Sequence, residues 1–127
     1  MTFGKLKQYV SQRIDTVVSI PVYSNRGDVR DTDTDYLILK YPTYDGDNTL
    51  IKTQNILEID YFSYSEFDTI NSDIVLAAAA LVKETLHGGY QSEAEGCFKS
   101  YCQYDGEVPD DEAGSYHYYQ RYIIEHY

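Results

Sequence analysis

Residues 65–87, SEFDTINSDIVLAAAALVKETLH, decide the fold because they predict the longest helix of the chain. Apolar residues recur in this stretch at three- and four-residue steps, which places them on one side of a helix. Ser65 is the predicted N-cap, and the pair Gly88 and Gly89 is typical of a helix end. The predicted apolar stripe consists of Phe67, Ile70, Ile74, Ala77, Ala78 and Leu81, widened by Val75, Val82 and Leu86. We therefore predict a helix over residues 66–87 that packs this stripe on a second layer.

The segments around this helix predict one more helix and the strands of a sheet. Residues 2–15 repeat apolar positions at helical spacing. Residues 17–23 contain Pro21, which cannot donate to a β-ladder, so they predict an edge or irregular strand. Four more strands are predicted over residues 35–41, 55–64, 96–104 and 115–127. Polar segments over residues 24–34, 43–54 and 105–114 are predicted to be loops.

The element order α-β-β-β-α-β-β predicts a two-layer α+β fold. We expect a mostly antiparallel sheet of about five strands, with both helices on one face. The chain has 127 residues, and no repeat or low-complexity linker divides it. We therefore predict a single domain over residues 1–127.

The charge balance excludes several classes of partner. The chain has 10 basic and 21 acidic residues, for a net charge of −11. Nucleic-acid binding and attraction to anionic membranes both depend on Lys and Arg, so neither is expected. The longest apolar run, residues 74–82, is far shorter than the about 20 residues of a membrane span. No secretory signal pattern opens the sequence, and its composition predicts a soluble globular domain.

The two cysteines are predicted to be free thiols. Cys97 and Cys102 lie five residues apart on one predicted strand, which places them on opposite faces. Their Cα atoms are then too far apart for a disulfide between them. Free thiols are typical of a reducing compartment.

The acidic clusters do not form a recognisable metal site. Asp31, Asp33 and Asp35 alternate as in a calcium-binding loop. An EF-hand would need glycine at position 36 and glutamate at position 42, where this chain has Tyr36 and Pro42. We interpret these aspartates as part of a solvated loop.

Other candidate reactive groups also favour a non-enzymatic protein. Further acidic residues in predicted loops include Asp45 and Asp47, which we interpret as part of a turn, and Asp110, Asp111 and Glu112, which we interpret as solvated. His117 and His126 lie nine residues apart on one predicted strand, on opposite faces, and cannot share a metal ion. His87 is predicted to lie at the end of the long helix. No nucleophile, phosphate-binding or zinc motif is present, so we expect no catalytic residue, no cofactor and no metal.

Tyrosine is the strongest compositional signal, with 15 tyrosines among 19 aromatic residues. On the last predicted strand, one face carries Tyr116, Tyr118, Gln120, Tyr122 and Ile124, and the other carries Tyr119, Arg121, Ile123 and Tyr127. Both faces are thus aromatic. Tyrosine could serve here simply as a strand former. Alternatively, one face packs on the helices and the other on a neighbouring subunit, since tyrosine suits half-dry interfaces.

Four stretches carry a resemblance to a known family. They are the N-terminal helix followed by IPVY at residues 20–23, the strands YLIL at 36–39 and LEIDYFS at 57–63, the long helix at 73–86, and PDD at 109–111 leading into YYQRY at 118–122. In these stretches the chain resembles the tail terminator (tail completion, or minor tail) proteins of long-tailed bacteriophages. The resemblance covers nearly the whole chain through loose motifs.

The resemblance implies a structural role at the head–tail junction of a virion, after assembly in the host cytoplasm. Such proteins form a hexameric ring that ends growth of the tail tube and joins the tail to the head. The implied partners are other copies of the chain, the tail tube protein and a head-closure or connector protein, with DNA only in transit and no membrane. Residues 43–54 are implied to reach a ring neighbour or the tube. The expected interface residues are Tyr44, Asp45, Asp47, Asn48, Thr49, Tyr116, Tyr118, Tyr119 and Tyr122.

Two alternatives remain open at this point. The chain could be another neck component, such as a head-closure or connector protein, although those tend to be small barrels without a long helix. It could also be a non-viral binding module that captures a partner along an exposed edge of its Tyr-rich last strand.

Overall fold

The computed structural model describes residues 1–42, 53–65, 72–109 and 114–127. Within these residues there are two α-helices and one six-stranded sheet. The helices are α1 (Phe3–Val17) and α2 (Asp73–Leu86), and the strands are β1 (Val22–Tyr23), β2 (Asp35–Lys40), β3 (Thr53–Tyr64), β4 (Tyr90–Glu93), β5 (Gly96–Val108) and β6 (Ser115–His126).

The sheet has the strand order β1-β2-β3-β6-β5-β4. β1 pairs in parallel with β2, and every other pairing is antiparallel. The predicted α+β class with a mostly antiparallel sheet is therefore confirmed. The prediction missed β4, whose sequence YQSE lacks an apolar pattern and which pairs with β5 only at the sheet edge.

Both helices pack on the same face of the sheet, as predicted. Thr2 caps α1, because its hydroxyl accepts a hydrogen bond from the Lys5 backbone N–H at 3.2 Å. The buried helix residues are Leu6, Val10, Ile14, Val75, Ala78, Ala79, Val82 and Leu86. They form one core with sheet residues that include Leu37, Leu57, Ile59 and Phe98. Neither of these two described helices has the length and apolarity to cross a membrane.

The predicted start of α2 is wrong, and its predicted buried stripe is right only in part. The helix begins at Asp73 with Ser72 as its N-cap, rather than after Ser65, and residues 66–71 lie outside the described residues. The predicted stripe members at positions 75, 78, 82 and 86 are buried, whereas Ile74 and Leu81 are exposed. The reason is that apolar residues surround almost the whole of this helix. The helical spacing alone therefore does not decide which of the predicted positions face the sheet.

β5 is longer than predicted, so the predicted loop over residues 105–114 is wrong for residues 105–108. A bulge between Cys102 and Tyr104 shifts the register with β6. Beyond it, Asp105 pairs with Gln120 and Glu107 with Tyr118, so both acidic residues lie on the helix-facing side. Residues 110–113 lie outside the described residues.

The predicted faces of β6 are confirmed by its register. Tyr118 lies opposite Tyr61 and Tyr122 opposite Leu57, all on the helix-facing side, whereas Tyr119 lies on the other side. Cys97 and Cys102 lie on opposite faces of β5 and are free. Because β6 pairs with both β3 and β5, it is an interior strand and cannot capture a partner along its edge, contrary to the binding-module alternative.

Candidate assembly surfaces

The exposed large apolar side chains of the described residues form two groups on opposite sides of the molecule. One group, on α2, is Ile74 and Leu81, while the exposed Leu76 lies on the other flank of the same helix. The other group, on the sheet face that points away from the helices, is Tyr64, Tyr90, Tyr101 and Tyr104. Apolar surface that is left in water in this way is typical of sites of protein association.

The first surface is the α2 ridge, which we define as Ile74, Ala77 and Leu81. These residues are spaced by three and four positions, and Ile74 and Leu81 are 45% and 43% exposed. The ridge borders a groove of about 550 Å³ whose other wall is the end of α1 at residues 16–19. The exposed residue Glu84 continues the same side of the helix one turn beyond Leu81. The ridge thus offers apolar surface that ends in a carboxylate.

The second surface is the tyrosine patch, which we define as Tyr90, Tyr101 and Tyr104 together with Lys99. The Lys99 ammonium lies 4.9 Å from the ring centroid of Tyr90 and 5.0 Å from that of Tyr101. A hydrogen bond with the Tyr101 hydroxyl is the main cause that raises the pKa of Lys99. Tyr104 packs beside Tyr119 at a centroid distance of 5.7 Å. The patch therefore holds a fixed positive charge among exposed rings.

The centre of this sheet face is occupied by paired charges. Asp60 is buried, and its carboxylate lies 2.5 Å from the Lys40 ammonium and 2.7 Å from His117 Nε2. Phe62 stacks on the His117 ring at a centroid distance of 4.4 Å. Because Asp60 has both partners, this centre is a structural cluster, and the tyrosine patch lies to one side of it.

A second pocket lies between the segment that follows β1 and the ends of β3 and β6, with a volume of about 370 Å³. The Arg26 guanidinium lies over the Phe62 ring at 5.0 Å. The Tyr23 hydroxyl donates to an Asp33 carboxylate oxygen at 2.5 Å, which lowers the pKa of Asp33. Asp35 instead accepts a hydrogen bond from the Ser63 hydroxyl at 2.6 Å. The carboxylates of Asp33 and Asp35 therefore have different hydrogen-bond partners. Within the described residues, no three His, Cys, Asp or Glu side chains are grouped to hold a metal ion.

The predicted interface tyrosines fall into different environments. Tyr119 lies beside the tyrosine patch. Tyr116 and Tyr118 are half-buried on the helix-facing side. Tyr122 is 0% exposed in the core, so its prediction as an interface residue is wrong. The other predicted interface residues, Tyr44, Asp45, Asp47, Asn48 and Thr49, lie outside the described residues.

A buried hydrogen-bond network explains why Tyr122 lies inside. Gln120 is fully buried, and its Oε1 accepts from the Tyr61 hydroxyl at 2.6 Å and from the Tyr122 hydroxyl at 3.0 Å. Its Nε2 donates to the Ala79 carbonyl of α2 at 3.0 Å and to Asp105 at 3.3 Å. Every hydrogen-bonding position of this amide is thereby used. The network joins β3 and β6 to the helix that carries the ridge.

Among the described residues, a cysteine and a histidine lie side by side at Cys102 and His87. The Cys102 backbone N–H donates to His87 Nδ1 at 2.9 Å, whereas its thiol donates to the Tyr104 carbonyl at 3.3 Å. Burial raises the pKa of the Cys102 thiol, which disfavours the nucleophilic thiolate. The imidazole and the thiol therefore do not form a nucleophile–base couple.

No family model matches the chain, and no curated protein matches it. The resemblance to tail terminators therefore depends on the four sequence stretches described above. The α2 ridge and the tyrosine patch, which sequence reasoning did not identify, are the features from which function is inferred. The exposed tyrosines could have been suspected from composition, but the ridge had no separate sequence signal.

Proposed function

We propose that this chain is a phage tail terminator, a structural subunit of a hexameric ring that caps the tail tube and joins it to the head. The observation that carries the proposal is the presence of two unlike apolar surfaces on opposite layers of the molecule. A ring of identical subunits needs two different, mutually complementary surfaces on each copy. An α2 ridge on one side and a tyrosine patch on the other meet that requirement.

The acidic composition supports passage of DNA through such a ring. Six copies would carry six times −11, or −66. A lumen of this sign repels phosphate, so DNA could slide through without sticking. The free thiols Cys97 and Cys102 are compatible with assembly in a reducing cytoplasm.

The resemblance assigns the loop at residues 43–54 to contacts with a ring neighbour or the tube. Replacing Tyr44, Asp45 and Asp47 together by Ala should leave the fold intact and impair assembly. Circular dichroism would report the fold, and native mass spectrometry the assembly. A triple variant that assembles normally would show that the loop assignment is wrong.

The function is tested by adding the purified chain to growing tail tubes of the phage whose genome encodes it. We expect tubes of limited length with a ring of density at one end in electron micrographs. Gln8→Asp, which alters an exposed position of α1 far from the ridge in sequence, serves as the matched control and should cap tubes as well as the unchanged chain. Tubes that grow without limit and carry no ring would refute the proposal. Binding to the head connector alone would indicate another neck component instead.

A further inference from the structure

We infer that the α2 ridge of one copy packs on the tyrosine patch of the next copy. The inference rests on the proposed function in taking a second copy of this chain as the occupant of each surface. Beyond the proposed function, the inference names the side chains that meet. It also requires that each copy contacts one neighbour through its ridge and the other neighbour through its patch.

The two surfaces match in length when Glu84 is counted with the ridge. Ile74 and Glu84 are ten residues apart on α2, which corresponds to about 15 Å along a helix. Tyr90 on β4 pairs with Lys99, which is five residues from Tyr104 on β5, so the patch extends about 16 Å along the strands. The ridge together with Glu84 can therefore extend along the patch from Tyr104 to Tyr90.

The two surfaces also match in charge. Glu84 lies at one end of the ridge, and Lys99 lies between the rings of Tyr90 and Tyr101. Bringing ridge and patch together places an exposed carboxylate near a fixed ammonium. Two copies that each carry −11 repel one another in most other orientations, so this local pair favours one arrangement.

The groove beside the ridge gives a tyrosine ring a place to enter. Its volume of about 550 Å³ lies within the range of pockets that hold small-molecule ligands. Tyr90 and Tyr104 are 62% and 52% exposed, so they protrude enough to reach it. Ala77 has a small side chain, which lets a ring approach the helix closely. Tyrosine that fills an apolar pocket while its hydroxyl stays at the wet rim is a common anchor of interfaces.

The positions of the surfaces require a head-to-tail contact. The ridge belongs to the helix layer and the patch to the far face of the sheet, so one copy cannot offer both to the same neighbour in a two-fold dimer. Each copy instead contacts one neighbour through its ridge and another through its patch.

Mixing two variants tests this directly. The ridge variant carries Ile74→Asp and Leu81→Asp, and the patch variant carries Tyr90→Asp and Tyr104→Asp. All four positions are exposed, so both variants should fold, as circular dichroism would verify. Each variant alone should lose self-association by about tenfold or more in dissociation constant. An equimolar mixture should form a heterodimer and nothing larger, because one intact ridge and one intact patch remain.

Other outcomes of the mixing experiment would overturn the inference. If the patch variant still forms a dimer alone, ridges pack on ridges. If the ridge variant still forms one, patches pack on patches. Variants that assemble like the unchanged chain would place the contact elsewhere. An unchanged chain that stays monomeric both alone and on tubes would show that there is no such contact. Gln8→Asp is the control and should assemble normally.

A charge exchange gives a second, independent readout. Glu84→Lys and Lys99→Glu should each weaken assembly, and the two combined in one chain should restore it. The experiments distinguish a wrong assignment of the contact from a wrong assignment of the function. A heterodimer from the mixture with no capping of tubes would support the contact and refute the tail terminator role. Normal capping by the ridge variant would refute the contact and leave the tail terminator role standing.

Discussion

Replacing Gln120 by Met should destabilise the protein strongly, although the two side chains are similar in size and shape. Gln120 is fully buried, and its Oε1 accepts hydrogen bonds from the hydroxyls of Tyr61 and Tyr122, both 0% exposed. Met cannot accept them with comparable strength. Each buried hydroxyl that loses its partner costs about 1–3 kcal/mol. Better burial of the apolar Met side chain offsets about 1 kcal/mol.

The expected loss in the free energy of unfolding is therefore about 1–5 kcal/mol. Urea unfolding followed by circular dichroism would measure it. With a urea dependence of about 2 kcal/mol per molar, the midpoint should fall by about 0.5–2.5 M.

The matched control adds Tyr61→Phe and Tyr122→Phe to Gln120→Met. Both partners of the two hydroxyl hydrogen bonds are then apolar, so the triple variant should recover the part of the stability that the unpaired hydroxyls cost. The reasoning is refuted if Gln120→Met unfolds within about 0.5 kcal/mol of the unchanged chain. It is also refuted if the triple variant is no more stable than Gln120→Met alone.

Three further predictions test the helix packing, a titrating group and the thiols. Leu86→Ala, on the buried side of α2, should lower the free energy of unfolding by about 2–5 kcal/mol, as measured by urea unfolding. Leu81→Ala, on the ridge, should lower it by less than about 1 kcal/mol. Similar losses for the two variants would mean that the buried face of the helix is misassigned. Burial lowers the pKa of His126 below 6.5, so its contribution to the free energy of unfolding is complete above pH 6.5 and is lost as the pH falls through the folded pKa. Between pH 7 and pH 5, the melting temperature of His126→Gln should therefore fall less than that of the unchanged chain. Equal falls in melting temperature would contradict this cause. Cys97→Ser and Cys102→Ser should leave the oligomeric state, measured by native mass spectrometry, unchanged. Loss of assembly would instead indicate a disulfide or a metal contact.

Much of the fold follows from sequence patterns because those patterns are clear. β3 alternates polar and apolar residues and β6 is rich in strand formers, so both strands are predicted to within two residues at their ends, and the faces of Tyr118 and Tyr119 are predicted correctly. The apolar spacing of residues 2–15 predicts the first helix to within two residues at its end. In these elements local pattern and tertiary packing agree.

The errors occur where the local pattern is ambiguous. The run from Ile74 to Val82 is apolar all round, so only the packed structure shows which side faces the sheet. The Asp105–Gly106 pair is typical of a turn, but the bulge before it lets β5 continue by pairing with β6. β4 has no apolar alternation and is held by backbone pairing at the edge.

The candidate surfaces were predictable only in part. The abundance of tyrosine suggested an aromatic interface, and Tyr119 does lie beside the tyrosine patch. Tyr122 was misassigned because its partner Gln120 gives no sign of burial in the sequence. The α2 ridge depends on the choice of helix face, and the patch on the pairing of β4 with β5, neither of which local spacing determines.

The most direct test of the head-to-tail ring is a native mass spectrum of the unchanged chain across a concentration series, alone and on tail tubes. We predict a closed hexamer of six 14.6 kDa chains, formed in solution or on the tube. A closed dimer that never grows would contradict it, because a two-fold dimer uses one surface twice and leaves the other uncovered. A monomer under both conditions would contradict it as well.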